Sequence, residues 1–143
     1  MPRTHLTTVL VLRSLAVLLW MAVIFFFSSL PGSPYPVGTD FWYKAERKGA
    51  HIFEYFILLF LVARFFMVLY PREKYWKILL AAAGFSLAYA TTDELHQFFI
   101  PFRGAKFMDV LFDAGGIVLA SLVVFRWPGF LLVVGKLRLS KKR

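Results

Sequence analysis

Apolar residues run along this chain in four long blocks, and proline or charge cuts each one off. The first, residues 14–30 (SLAVLLWMAVIFFFSSL), stops at Pro31, Gly32, Pro34 and Pro36. The second, about 50–70 (AHIFEYFILLFLVARFFMVLY), stops at Pro71, the third covers about 76–100, and the fourth, 110–127, stops at Pro128. A helix crossing a bilayer needs about 20 mostly apolar residues. The pattern therefore predicts an all-α membrane protein, a bundle of four transmembrane helices forming one domain over residues 1–143. The first block is longer than the roughly 7–15 apolar residues of a secretory signal, and no small-residue cleavage site follows it. It is expected to stay as an anchor. In the tail, 128–143, the apolar part is too short to span, and the basic end suits anionic headgroups.

Composition agrees: 59% of residues are hydrophobic and 17 are Phe, more than a soluble domain of this length could cover with polar surface. Cysteine is absent, which excludes disulfides, thiolate nucleophiles and cysteine-based metal centres. The net charge of +9 sits mainly between the spans, where topology determinants belong. With both termini in the cytoplasm, that side holds twelve of the 17 basic residues, leaving Lys44, Arg47, Lys48, Arg103 and Lys106 outside. The positive-inside rule thus predicts an N-in, C-in bundle. The acids distribute the other way: only Glu73 falls inside, while Asp40, Glu46, Glu54, Asp93, Glu94, Asp109 and Asp113 fall outside with His51 and His96. Arg13 and Arg64, near cytoplasmic ends, are expected to snorkel to water, and mid-span Trp20 to pack between helices. Nucleic acid is not an expected partner. The DELH string at 93–96 stands without a P-loop, and GFLLVVGKL near the C-terminus has the wrong glycine spacing for one.

The third block holds the sharpest anomaly. In YATTDELHQFFIPFRG, 89–104, Asp93, Glu94, His96 and Gln97 arrive within five residues, and FFI follows at once. Helical spacing puts His51, Glu54, Tyr55 and Leu58 on one face of the second helix. Asp93, His96, Gln97 and Ile100 share a face of the third, in line with Ala82, Ser86 and Ala90. Asp109, Asp113, Gly116 and Ala120 share a face of the fourth. A charge in hydrocarbon costs roughly 2.5–3.5 kcal/mol, so these groups must face inward, pairing with one another and with Lys48 or Arg103, or line a wet cavity. Small residues on the same faces allow the close approach this needs. An outward-facing polar pocket between the second, third and fourth helices is expected. Four readings of it remain open, one of them the binding or transport of a polar or lipidic ligand, since intramembrane charges mark such paths. His51, Glu54, Asp93 and His96 could hold a divalent metal such as zinc or manganese. Glu54 or Glu94, with His51 or His96, could act as general base and acid on a ligand whose phosphates Lys48 and Arg103 hold. Alternatively, the cluster is a non-catalytic scaffold that keeps the helices in register.

Three segments together resemble the signature blocks of the VanZ-like family of bacterial membrane proteins. They are KGAHIFEYFILLFL (48–61, a K-x-x-H-x-x-E-Y pattern), the D-E-x-H-Q and Pro–Arg pattern of 93–103, and DVLFDAGG (109–116). FFFSSLPG (25–32) is also similar. The resemblance implies a multi-pass protein of the bacterial cytoplasmic membrane. Its partners would be membrane lipid and a lipid-linked envelope intermediate or lipoglycopeptide, in view of the family's association with teicoplanin resistance. Carried over by position, it singles out Lys48, His51, Glu54, Tyr55, Asp93, Glu94, His96, Gln97, Arg103, Asp109 and Asp113. One position departs: Phe102 stands where the pattern has glycine between the proline and the arginine.

Overall fold

A computed structural model describes residues 3–32, 41–103, 107–127 and 129. All regular structure among them is helical: α1 (Arg3–Ser28), α2 (Phe41–Leu69), α3 (Tyr75–Phe98) and α4 (Phe107–Arg126). α1 and α2 begin well before the apolar blocks at 14 and 50, because apolarity sets how much of a helix lies in lipid, not where the helix starts. No proline or glycine interrupts α1, so nothing stops it from continuing outward. α2 ends where Tyr70 N donates to Phe66 O at 2.8 Å and Pro71 forbids a further turn.

Among the described residues, three helices are long and apolar enough to cross a membrane, over His5–Ser28, Ala45–Leu69 and Met108–Arg126. α3 has 24 residues, about 36 Å at the usual rise. Lys77 and the Thr91–Thr92–Asp93–Glu94 run dilute its apolar character. The tail expected to meet headgroups lies, Gly129 apart, outside the described residues.

The bundle is inverted relative to a soluble protein. Leu19 and Phe125 are 69% and 65% exposed, whereas Gln97 and Asp113 are 1% and 0% exposed. Lipid, not water, is the solvent that suits such a surface. α2 is the central helix and packs on the other three, most closely on α4. That approach depends on Gly116, where a Cβ would sit 2.2 Å from the Ile52 carbonyl oxygen. Tyr55, Leu58, Leu59 and Val62 from α2 pack with Ala82 and Ala90 from α3 and Ile117, Ala120 and Val124 from α4. Of the predicted inward faces, His51, Tyr55, Leu58, Asp93, Gln97, Asp113, Gly116 and Ala120 are buried, whereas Glu54, His96, Ile100 and Asp109 are partly so.

α1 lies at the side of this core, and side chains fasten it to neighbouring backbone at several levels. Trp20 Nε1 donates to Glu54 O at 2.9 Å, and Tyr89 Oη donates to Met21 O at 2.7 Å. Trp20 therefore packs between helices as its mid-span position suggested. At the other end of the bundle, Tyr75 Oη ties α3 to α4 through Val124 O at 2.6 Å.

Candidate functional site

The ionisable residues gather where α1 ends, α2 and α4 begin, and α3 turns. They form two networks. In one, His51 Nδ1 meets Asp113 Oδ1 at 2.9 Å across the α2–α4 seam. Both are buried, at 5% and 0% exposure. With Asp113 ionised, its carboxylate accepts, Nδ1 carries the proton, and Nε2 is the ring nitrogen left for another partner.

The second network joins α1, α3 and the following turn. Ser28 Oγ donates to Asp93 Oδ2 at 2.6 Å. Gln97 Nε2 donates to the same oxygen and to Ser28 Oγ, both at 2.9 Å. Gln97 Oε1 accepts from Arg103 Nε at 3.1 Å. Arg103 then reaches back to cap α1, donating to Phe27 O and Leu30 O, where a cation is favoured by the exposed carbonyls of a helix C-terminus. Burial and the charge of Arg47 hold the Arg103 guanidinium below its ordinary pKa, while Asp93, Glu54 and Glu94 oppose them. The turn itself is locked to α1: Gly32 N donates to Pro101 O at 3.1 Å. A Cβ at Gly32 would lie 1.9 Å from Phe102 O. Phe102 has φ 59°, so the backbone keeps the left-handed conformation that glycine favours although the residue here is Phe.

Beside these networks opens a cavity of about 350 Å³, lined by Phe27, Leu30, Pro31, Gly32, Arg47, Ala50, His51, Glu54 and Arg103. Two guanidiniums, an imidazole and a carboxylate thus share one concave wall with apolar α1 side chains. Such a volume fits a small polar group or headgroup.

The residues singled out from sequence do not all meet. His51, Glu54 and Arg103 line the cavity, and Asp113, Asp93 and Gln97 stand behind it in the networks. Lys48 is exposed, its ammonium 4.3 Å from the Phe112 ring centroid; the α2 cation that joins Arg103 on the cavity wall is Arg47, one residue earlier. Asp109 is only partly buried. His96 turns toward α1, where Nε2 meets Ser29 Oγ at 3.0 Å and the ring stacks on Phe25 at 4.5 Å. Glu94 is buried outside the cavity lining. The four residues suggested for a metal are therefore dispersed: His51 and Asp93 belong to different networks, Glu54 lies on the cavity wall and His96 faces Ser29 and Phe25. Among the described residues no group of three or more His, Asp or Glu is arranged to hold a metal ion.

Sequence reasoning passed over Ser28 and Arg47. Ser28 is one of two adjacent hydroxyls at the end of an otherwise apolar run, and Arg47 is one turn before His51 on the same helical face. Both signals were present. Tyr55 Oη, Asp93 Oδ1 and Asp113 Oδ2 are buried without a hydrogen-bond partner among the described residues, a condition costing about 1–3 kcal/mol per group.

The fold and site define a small helical membrane protein with a charged cavity at one end of its bundle. The chain belongs to the VanZ/LLP1 family, whose model matches residues 14–131. No curated protein and no solved structure matches it.

Proposed function

We propose that the cavity binds the anionic headgroup of a membrane-resident amphiphile. The observation that carries this reading is the shared wall of Arg47, Arg103, His51 and Glu54 against Phe27 of α1 and Leu30 just beyond its end. Guanidiniums pair with phosphate or carboxylate through parallel hydrogen bonds, and the apolar flank gives an attached chain a path along α1 into lipid. Glu54 and the His51–Asp113 pair accept or donate protons at the bound group and discriminate by its hydroxyls.

In our reading all four helices cross the bacterial cytoplasmic membrane, with both termini inside and the cavity toward the outer face, where envelope intermediates present such headgroups. The family's association with teicoplanin, a lipoglycopeptide, makes that drug or its lipid-linked target a candidate ligand. A structural role for part of the cluster has its own support. The Ser28–Asp93–Gln97–Arg103 chain is directed inward and caps α1, which suits a clasp between helices.

Photo-crosslinking tests the binding reading. Phosphatidic acid with a photoreactive group near the headgroup should label residues 27–32 and 47–54 in wild type, with the label strongly reduced in Arg47→Gln. Labelling spread evenly over the lipid-facing surface would sink the proposal.

A further inference from the structure

At the opposite end of the bundle, α1 and α2 each carry an arginine inside a membrane-crossing segment. Arg13 donates from its guanidinium to the Arg64 carbonyl, so it is held across the α1–α2 seam rather than swinging freely to water. The Arg64 guanidinium lies 5.5 Å from the Phe60 ring centroid. Both side chains are partly buried, and the contact of Arg13 with the Arg64 carbonyl brings two cationic residues to one seam. Snorkelling, expected for each arginine alone, does not account for two cations fixed side by side.

Among the described residues no carboxylate offsets them. Glu73 is half exposed and pairs with Lys77 at 3.5 Å. The other described acids sit around the cavity end, and Arg64 lies thirteen positions along α2 from His51, about 20 Å of helix. Uncompensated charge at membrane depth is costly. The anion such side chains can reach at the adjoining headgroup layer is a lipid phosphate, which guanidiniums bind bidentately, and basic seams between helices take anionic headgroups. Arg72, Lys74, Lys77 and Arg126 belong to the same end of the bundle, which favours a net negative headgroup over a zwitterionic one.

We propose that Arg13 and Arg64 form a binding site for the phosphate of an anionic phospholipid, at the end of the bundle remote from the cavity. The site is independent of the function assigned to the cavity.

The test is native mass spectrometry of the full chain, released from nanodiscs of equal phosphatidylglycerol and phosphatidylcholine. Wild type should retain phosphatidylglycerol in preference. Arg64→Gln, which leaves the backbone acceptor of Arg13 intact, should lower the preference about fivefold, as should Arg13→Gln. Lys48→Gln, at the other end, should leave it unchanged. An unchanged ratio in Arg64→Gln, or an equal drop in Lys48→Gln, would overturn the site. Millimolar inorganic phosphate added before release should not displace the lipid. Displacement would mean that the arginines take a soluble anion, and the lipid assignment would fall.

Discussion

Replacing Phe102 by glycine should stabilise the protein, although it deletes a large aromatic side chain. A non-glycine residue in the left-handed region, as Phe102 is at φ 59°, costs about 1–2 kcal/mol. Glycine returns about 0.5–1 kcal/mol of that through the greater freedom of its unfolded chain. The side chain is 69% exposed, so little packing is lost in detergent. The net gain is about 0.5–1 kcal/mol, or roughly 1–4 °C in Tm on the scale of a domain of this size. Thermal melts in one detergent would measure it, with Phe102→Ala as the companion variant. Alanine removes the same ring but keeps the backbone penalty, so it should show no gain. If Phe102→Gly melts at or below wild type, or if Phe102→Ala rises as much, the strain argument is wrong. The turn also carries Arg103, so the stabilised variant should keep the capped end of α1.

Other expectations divide the cluster into structural and binding parts. Gly116→Ala would push a Cβ into the Ile52 carbonyl, 2.2 Å away, and should cost about 1–3 kcal/mol or more by forcing α2 and α4 apart, read from the same melts. Ser28→Ala removes the 2.6 Å bond to Asp93 and should lose about 1–3 kcal/mol; an unchanged Tm would discount the clasp. His51→Ala strands Asp113 and should cost about 3–5 kcal/mol, whereas Glu54→Gln, on the cavity wall, should melt within about 0.5 kcal/mol of wild type. Because the chain has no cysteine, single Lys48→Cys and Arg72→Cys variants report topology directly. An impermeant maleimide applied to intact cells should label the first and not the second, and the reverse pattern would invert the orientation.

Much of this arrangement was legible in the chain. The inward faces followed from spacing of three and four residues, since burying His51, Tyr55, Asp93, Gln97 and Asp113 is the cheapest arrangement in hydrocarbon. Pairing was not legible. Spacing along one helix says nothing of rotation against another, so it could not show that His51 meets Asp113 while His96 turns to Ser29 and Phe25. Of the two cations expected at the pocket, Arg103 lines the cavity and Lys48 does not: Lys48 and Arg47 differ by about 100° around the helix, and only packing decides which faces in. Phe102 was visible as a departure from the family's pattern. Its physical meaning needed the backbone angle, because the neighbouring Gly32 contact holds the turn in a glycine-like conformation whatever residue stands there.

Binding of short-chain phosphatidic acid to the detergent-solubilised protein, wild type beside Arg47→Gln, tests the central reading most directly. Arg47 lines the cavity, but no described hydrogen bond of the clasp involves it. The account predicts about fivefold weaker binding with an unchanged melting temperature. Equal affinity in both proteins would contradict a headgroup site in this cavity and leave the charged cluster as a scaffold.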